Sequence, residues 1–180
     1  MRTVFSGVVA VFIGTIGTAL VVAQATPPKQ PGPEHKRLES MVGQWSFQGD
    51  AKESPLGPAG KISGSETCDW FQGGFAVICR SKGTGPKGPV TGMGVMSYDP
   101  MQKTYTYYAI SSQGDNMFVR GHVKGNVWTF EDSVDVGGKP MTVRATVTEE
   151  SPTVTTFTLE AGPTGGQMMV VQQGRSTKQK

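Results

Sequence analysis

The sequence predicts an all-β chain, an antiparallel up-and-down barrel of about ten strands behind one short helix. Three observations predict it. From Gly43 onward the apolar residues lose helical spacing and fall into short runs divided by Gly, Pro, Asn and Asp. Several runs alternate: Met141, Val143, Ala145 and Val147 share one face of MTVRATVTE, and Thr142, Arg144, Thr146 and Thr148 the other. The two cysteines mirror each other across a glycine pair, Cys68 five residues before Gly73 and Cys79 five after Gly74.

The first 25 residues stand apart from the fold. Arg2 precedes an apolar run from Val4 to Val22, closed by Ala23-Gln24-Ala25, the small-x-small pattern of a signal-peptidase site. The run approaches spanning length, so a retained anchor is the competing reading. Its Gly and Thr content, the placement of Ala-x-Ala and the lack of a following basic cluster favour cleavage near Ala25. The mature protein is then expected outside the cytoplasm, secreted or periplasmic, with no membrane attachment. A proline-rich leader occupies 26–33, a single domain 34–177, and a polar tail 178–180. The segment RSTKQK is expected to fray. The net charge of +3 is mild and has no Lys/Arg run to focus it, which argues against nucleic acid as a partner.

Within the domain, PEHKRLESMVG reads as one helix. Pro33 suits its first turn, Gly43 its stop, and Leu38, Met41 and Val42 fall at helical spacing. Strands follow at 44–52, 61–71, 75–82, 90–98, 103–112, 116–123, 126–133, 140–149, 153–160 and 167–176. Short links between them imply antiparallel neighbours, and a meander of this length hides its edges by closing. Two links, 53–61 and 82–90, are longer and rich in Gly and Pro, either as solvated loops or as loops at a barrel mouth. If Gly73-Gly74 makes a two-residue turn, Cys68 faces Cys79 on a hydrogen-bonded rung with Cα atoms about 5.5 Å apart, and in an oxidising compartment the pair becomes a disulfide.

Motifs for chemistry are sparse. There are two histidines, His35 and His122, with no H-E-x-x-H, C-x-x-C, G-x-S-x-G or Walker loop. No catalytic residue, metal or cofactor is expected. His35 reads as exposed or as a capping contact. His122 shares a strand face with Phe118 and Arg120, opposite Met117, Val119 and Val123, and points to solvent if the Met/Val face packs, or inward if the interior is wet. Tyr105 and Tyr107 share one face of KTYTYYAIS, Tyr108 and Ile110 the other. The candidate ligand-lining set is Tyr105, Tyr107, Phe118, Arg120, His122, Trp128 and Arg144. An inward arginine among Arg80, Arg120 and Arg144 would mark an anionic ligand group. For an enzyme, Glu66 and His122 are the acid–base groups to test, and a solvated strand charge is the simpler reading of Glu66.

MVGQWSF resembles the G-x-W signature that opens the first strand of lipocalins and other calycins, carried here by Gly43 and Trp45. That resemblance implies a basic residue of the last strand covering the Trp, and Arg175 in QGRSTK is the matching position. PEHKRLESMVGQW, SETCDWFQGGFAVICRS, GVMSYDPMQKTYTYY and TEESP are similar to the bacterial family of domain of unknown function 1579. The likeness implies a secreted or periplasmic calycin-like barrel and carries over no catalytic residues. Against the G-x-W-x-G-x-G opening of nitrobindin-like haem barrels, GQWSFQG keeps Gly43, Trp45 and Gly49 but has Phe47 for the middle glycine. The last strands also lack histidine, so haem is not implied. The expected function is binding of a small apolar or amphipathic molecule in the barrel; a filled barrel acting through its surface is the alternative.

Overall fold

Ten strands run in chain order around one closed antiparallel barrel. The computed structural model describes residues 30–180, so the expected signal segment lies outside the described residues. The strands are β1 (Gly43–Ala51), β2 (Gly60–Trp70), β3 (Ala76–Gly85), β4 (Gly88–Asp99), β5 (Thr104–Ser111), β6 (Asn116–Lys124), β7 (Val127–Val136), β8 (Lys139–Ser151), β9 (Val154–Pro163) and β10 (Met169–Lys178), with β10 closing on β1. All ten expected strands are present, and each pairs with a neighbour on both sides. Among the described residues no helix is long and apolar enough to cross a membrane.

The helical segment is α1 (Pro33–Lys36) continued by a 3-10 turn over Arg37–Met41, and it forms the floor. Leu38 is fully buried against Cys68, Val77, Tyr105 and Trp128, while Met41 and Val42 pack beside it. Polar contacts fix the segment in place. Tyr105 Oη donates to the Glu34 carbonyl at 3.0 Å, Trp45 Nε1 to the Met41 carbonyl at 2.9 Å, and Trp70 Nε1 to Glu39 Oε2 at 2.7 Å. His35 is buried rather than exposed, edge-on to Phe75 and Tyr98. Its Nδ1 accepts from the Gly32 N–H at 3.2 Å, so the capping contact stands.

Three expectations change. The 82–90 stretch is not a long loop, because β3 and β4 run on until only Pro86-Lys87 separates them and Gly88 turns at φ 96°. The C-terminal segment does not fray from Arg175 onward: β10 pairs with β1 as far as Trp45↔Lys178. The third change is at the cysteine hairpin. Phe71 N–H bonds to the Ala76 carbonyl, and Gly74 N–H returns to the Phe71 carbonyl, so the loop is wider than two residues. That moves the bonded rung by one and leaves Cys68 and Cys79 on a non-bonded rung, their Cα atoms 4.0 Å apart. The disulfide itself forms as expected.

Inward-facing glycines make room for aromatic rings. A Cβ on Gly64 would lie 2.5 Å from Phe47 Cζ, and one on Gly174 2.4 Å from Phe157 Cζ. The bare backbone lets each ring pack over the neighbouring strand, and both rings line the interior.

One seam is incomplete. β6 pairs with β7 only from Arg120↔Glu131 to Lys124↔Val127. Above that, Asn116–Val119 and Asp132–Val136 bond to their outer neighbours β5 and β8 but not to each other.

Candidate functional site: a barrel cavity

Above the floor lies a cavity of about 580 Å³. Its walls are mostly apolar: Trp45, Phe47, Met96, Tyr107, Trp128, Phe130, Val143, Ala145, Val147, Phe157 and Leu159 face it, and Leu56 reaches in from the 52–59 loop. At the incomplete seam it meets Met117 and Val119 on one side and Asp132, Val134 and Val136 on the other. These residues are inward by alternation. Tyr107 sits opposite Met96 and Val119, and Phe130 opposite Ala145, on one continuous inner face.

Two carboxylates differ in kind. Glu149, at the bottom of β8, accepts Trp128 Nε1 at 2.8 Å and Arg37 Nη1 at 3.0 Å, and the Arg37 guanidinium also lies 5.0 Å over the Trp128 ring. Burial pushes this carboxyl up, but the hydrogen bonds from Arg37, Ser40 and Trp128, with the guanidinium charge, outweigh it and hold it below the usual range. Glu66 lies midway up β2, between Trp45 and Ser81 on the adjacent strands. It makes no side-chain hydrogen bond or ion pair among the described residues, and burial pushes its carboxyl up. Tyr107 is pushed up to about 12 by burial, with the Glu66 charge adding to the effect. The Glu66 carboxylate is within 4.8 Å of both disulfide sulfurs, which are joined and so offer no thiolate to a metal.

The structure divides the sequence-expected residues. Tyr107 and Trp128 line the cavity. Tyr105 faces inward but is buried in the floor, edge-on to Trp128 with centroids 4.8 Å apart. Phe118, Arg120 and His122 face solvent, because the Met117/Val119 face is the inner one; Arg120 stacks over Phe118 at 4.7 Å. Arg144 is also outside, pairing with Glu131 at 2.8 Å. Arg80 is exposed, so none of the three candidate arginines enters the interior. Arg175 does not cover Trp45. It lies beside Gln48 on the outer face, whereas Lys178, three residues on and of opposite parity, puts its Nζ 5.3 Å from the Trp45 ring. Gly43 makes this contact fit: it sits at φ 129°, and a Cβ there would meet Lys178 Cε at 2.5 Å.

Sequence reasoning named Glu66 only as an acid–base group to test for an enzyme, with a solvated strand charge as the simpler reading, and passed over Phe47 and Glu149. Alternation contained the missing signal for the first: once Cys68 faces inward, Glu66, two positions before it, must do so too.

Comparisons with known proteins agree with this architecture. A family model described as "Protein of unknown function (DUF1579)" matches residues 30–178. No curated protein matches. The crystal structure of Rv2717c from M. tuberculosis is similar at a TM-score of 0.55 with 12% identity, over 83% of this chain and 99% of that one. The S-type phycobiliprotein lyase CPES from Guillardia theta is similar at a TM-score of 0.56 with 8% identity, over 82% of this chain and 93% of that one. At such identities the likeness is one of fold.

Proposed function

Because the chain belongs to the DUF1579 family, whose description assigns no activity, we propose its function from the site itself: an exported barrel that holds a small apolar or amphipathic molecule in its cavity. The observation that carries the reading is the cavity of about 580 Å³ with largely apolar, aromatic-rich walls and a few polar groups. That combination of size, lining and sparse orienting groups is what small-molecule sites have. Export is supported by the Ala23-Gln24-Ala25 pattern and by the Cys68–Cys79 disulfide, which is compatible with an oxidising compartment.

The test is native mass spectrometry of the protein purified from the compartment where it matures, compared with the same sample unfolded. The expected result is a mass excess that vanishes on unfolding, on a chain that starts near Thr26. A clean apo mass with no uptake from an added panel of lipophilic compounds would overturn the reading.

A second reading has one observation in its favour. The outer face of β4, β5 and β6 exposes Met93, Tyr108, Ile110 and Phe118, with Phe118 45% and Tyr108 44% accessible and directly paired across strands. Apolar residues gathered in this way suit a protein-interaction surface.

A further inference from the structure

The cavity is charged in one sense only. Its lining includes four carboxylates, Glu66, Asp115, Asp132 and Glu149, and no Lys, Arg or His. Three of the four are engaged. Glu149 is held by Arg37 and Trp128, Asp132 Oδ1 accepts the Ser133 N–H at 2.8 Å, and Asp115 accepts Ser111 Oγ at 3.1 Å. Glu66 is the exception: half-buried midway up the wall, beside Trp45 on the adjacent strand, it has no protein partner among the described residues. A buried carboxylate without a counter-charge is unfavourable, and a ligand can supply what the protein does not. An anionic head group would find no free basic side chain in the lining: Arg80, Arg120 and Arg144 stand outside, Arg37 is committed to Glu149, and Lys178 lies against Gly43 and the Trp45 ring. A cationic one would meet Glu66 in a wall that also holds Trp45, Tyr107 and Phe130, aromatic rings of the kind that attract a desolvated cation.

We propose that the cavity selects an apolar molecule carrying one protonated amine or ammonium group, with Glu66 as its counter-ion and the surrounding aromatic rings as its cage. This rests on the ligand-binding reading above and deepens it by assigning the charge of the ligand. The apolar part of such a molecule would lie along Val143, Ala145, Val147 and Leu159. Its route in would pass the incomplete β6–β7 seam, where Asp132 faces the cavity and adds a second negative charge.

The experiment compares three probes of equal chain length, decylamine, decanol and decanoate, on the mature protein at pH 7.5. Quenching of tryptophan emission gives the readout, since Trp45 and Trp128 both line the site. The expected order is decylamine tightest, at least about tenfold over decanol, with decanoate weakest; tenfold is the worth of one moderate charge-assisted contact. Glu66→Gln should reduce the amine preference to about threefold or less while decanol binds as before. Equal binding of decylamine and decanol, a preference for decanoate, or an amine preference that survives Glu66→Gln would each overturn the proposal and leave the ligand-binding reading standing. Failure of all three probes would overturn both together. The order on the unmodified chain decides the matter even where the variant does not fold.

Discussion

At the scale of single residues, side-chain direction decides what each charge does. Glu149 and Arg144 lie on the same strand, β8, and differ in parity. Glu149 faces in and ties Arg37 and Trp128 to the floor, while Arg144 faces out and joins an exposed ion pair of the kind that contributes little. Glu149 therefore carries a pH signature. Its folded-state pKa lies below its unfolded value, so its stabilisation is present at neutral pH and is lost as pH falls through the acid carboxylate range. Glu149→Gln should destabilise the protein by about 1.5–3 kcal/mol at pH 7, the range for hydrogen bonds to a charged group. Chemical denaturation followed from pH 7 down to pH 2 should show the two proteins converging on the acid side; a constant gap would show that packing, not charge, sets the difference. Residue direction is also where the sequence was least legible. The alternation of β6 was plain, but whether Met117/Val119 or Phe118/Arg120/His122 faced in depended on which set the rest of the barrel could bury. Arg175 was drawn to Trp45 by resemblance, although the pairing of β10 with β1 gives the inward position to Lys178.

At the scale of elements, strand number and order were readable because each run announced itself through composition and short links. The turns were harder. Two adjacent glycines at 73 and 74 favour a two-residue turn in isolation, yet Phe71 and Ala76 close a wider loop, and the cysteines move to the closer rung. The same register survives either turn, which is why the Cys68↔Cys79 pairing could be anticipated while its hydrogen-bonding environment could not. Replacing both cysteines by serine should cost about 2–3 kcal/mol, the chain-entropy value for so short a loop, and the loss is measurable as a lower denaturation midpoint. Strand glycines carry the other element-scale consequence. Gly64→Ala would place its Cβ 2.3 Å from the Lys82 carbonyl oxygen and 2.5 Å from Phe47. Since the nearer neighbour is backbone, the strand itself must move, and a loss of about 1–3 kcal/mol is expected. An unchanged thermal midpoint for this variant would mean the wall is more compliant than its packing suggests.

At the scale of the whole molecule, the barrel is stapled and plugged at one end and loosely joined at the other. The disulfide, the helical floor and three tryptophans gather at the lower end, and the unpaired stretch of β6 and β7 lies above. That contrast was not legible in the sequence, where Asn116–Val119 looks as strand-like as its neighbours and the seventh strand is expected to stop at 133 rather than run on to Val136. Its consequence is kinetic. Backbone groups facing an unfilled rung have only water or side chains to hold them, as Asp132 holds the Ser133 N–H. Amide hydrogen exchange should therefore be fastest, within strands, along 116–119 and 132–136, and slowest in the lower halves of β2, β3 and β7. A closed ring normally exchanges its contents through an open end. Here one stave of the ring has a partly undone lacing, and a guest's residence time would be set by how often that lacing parts.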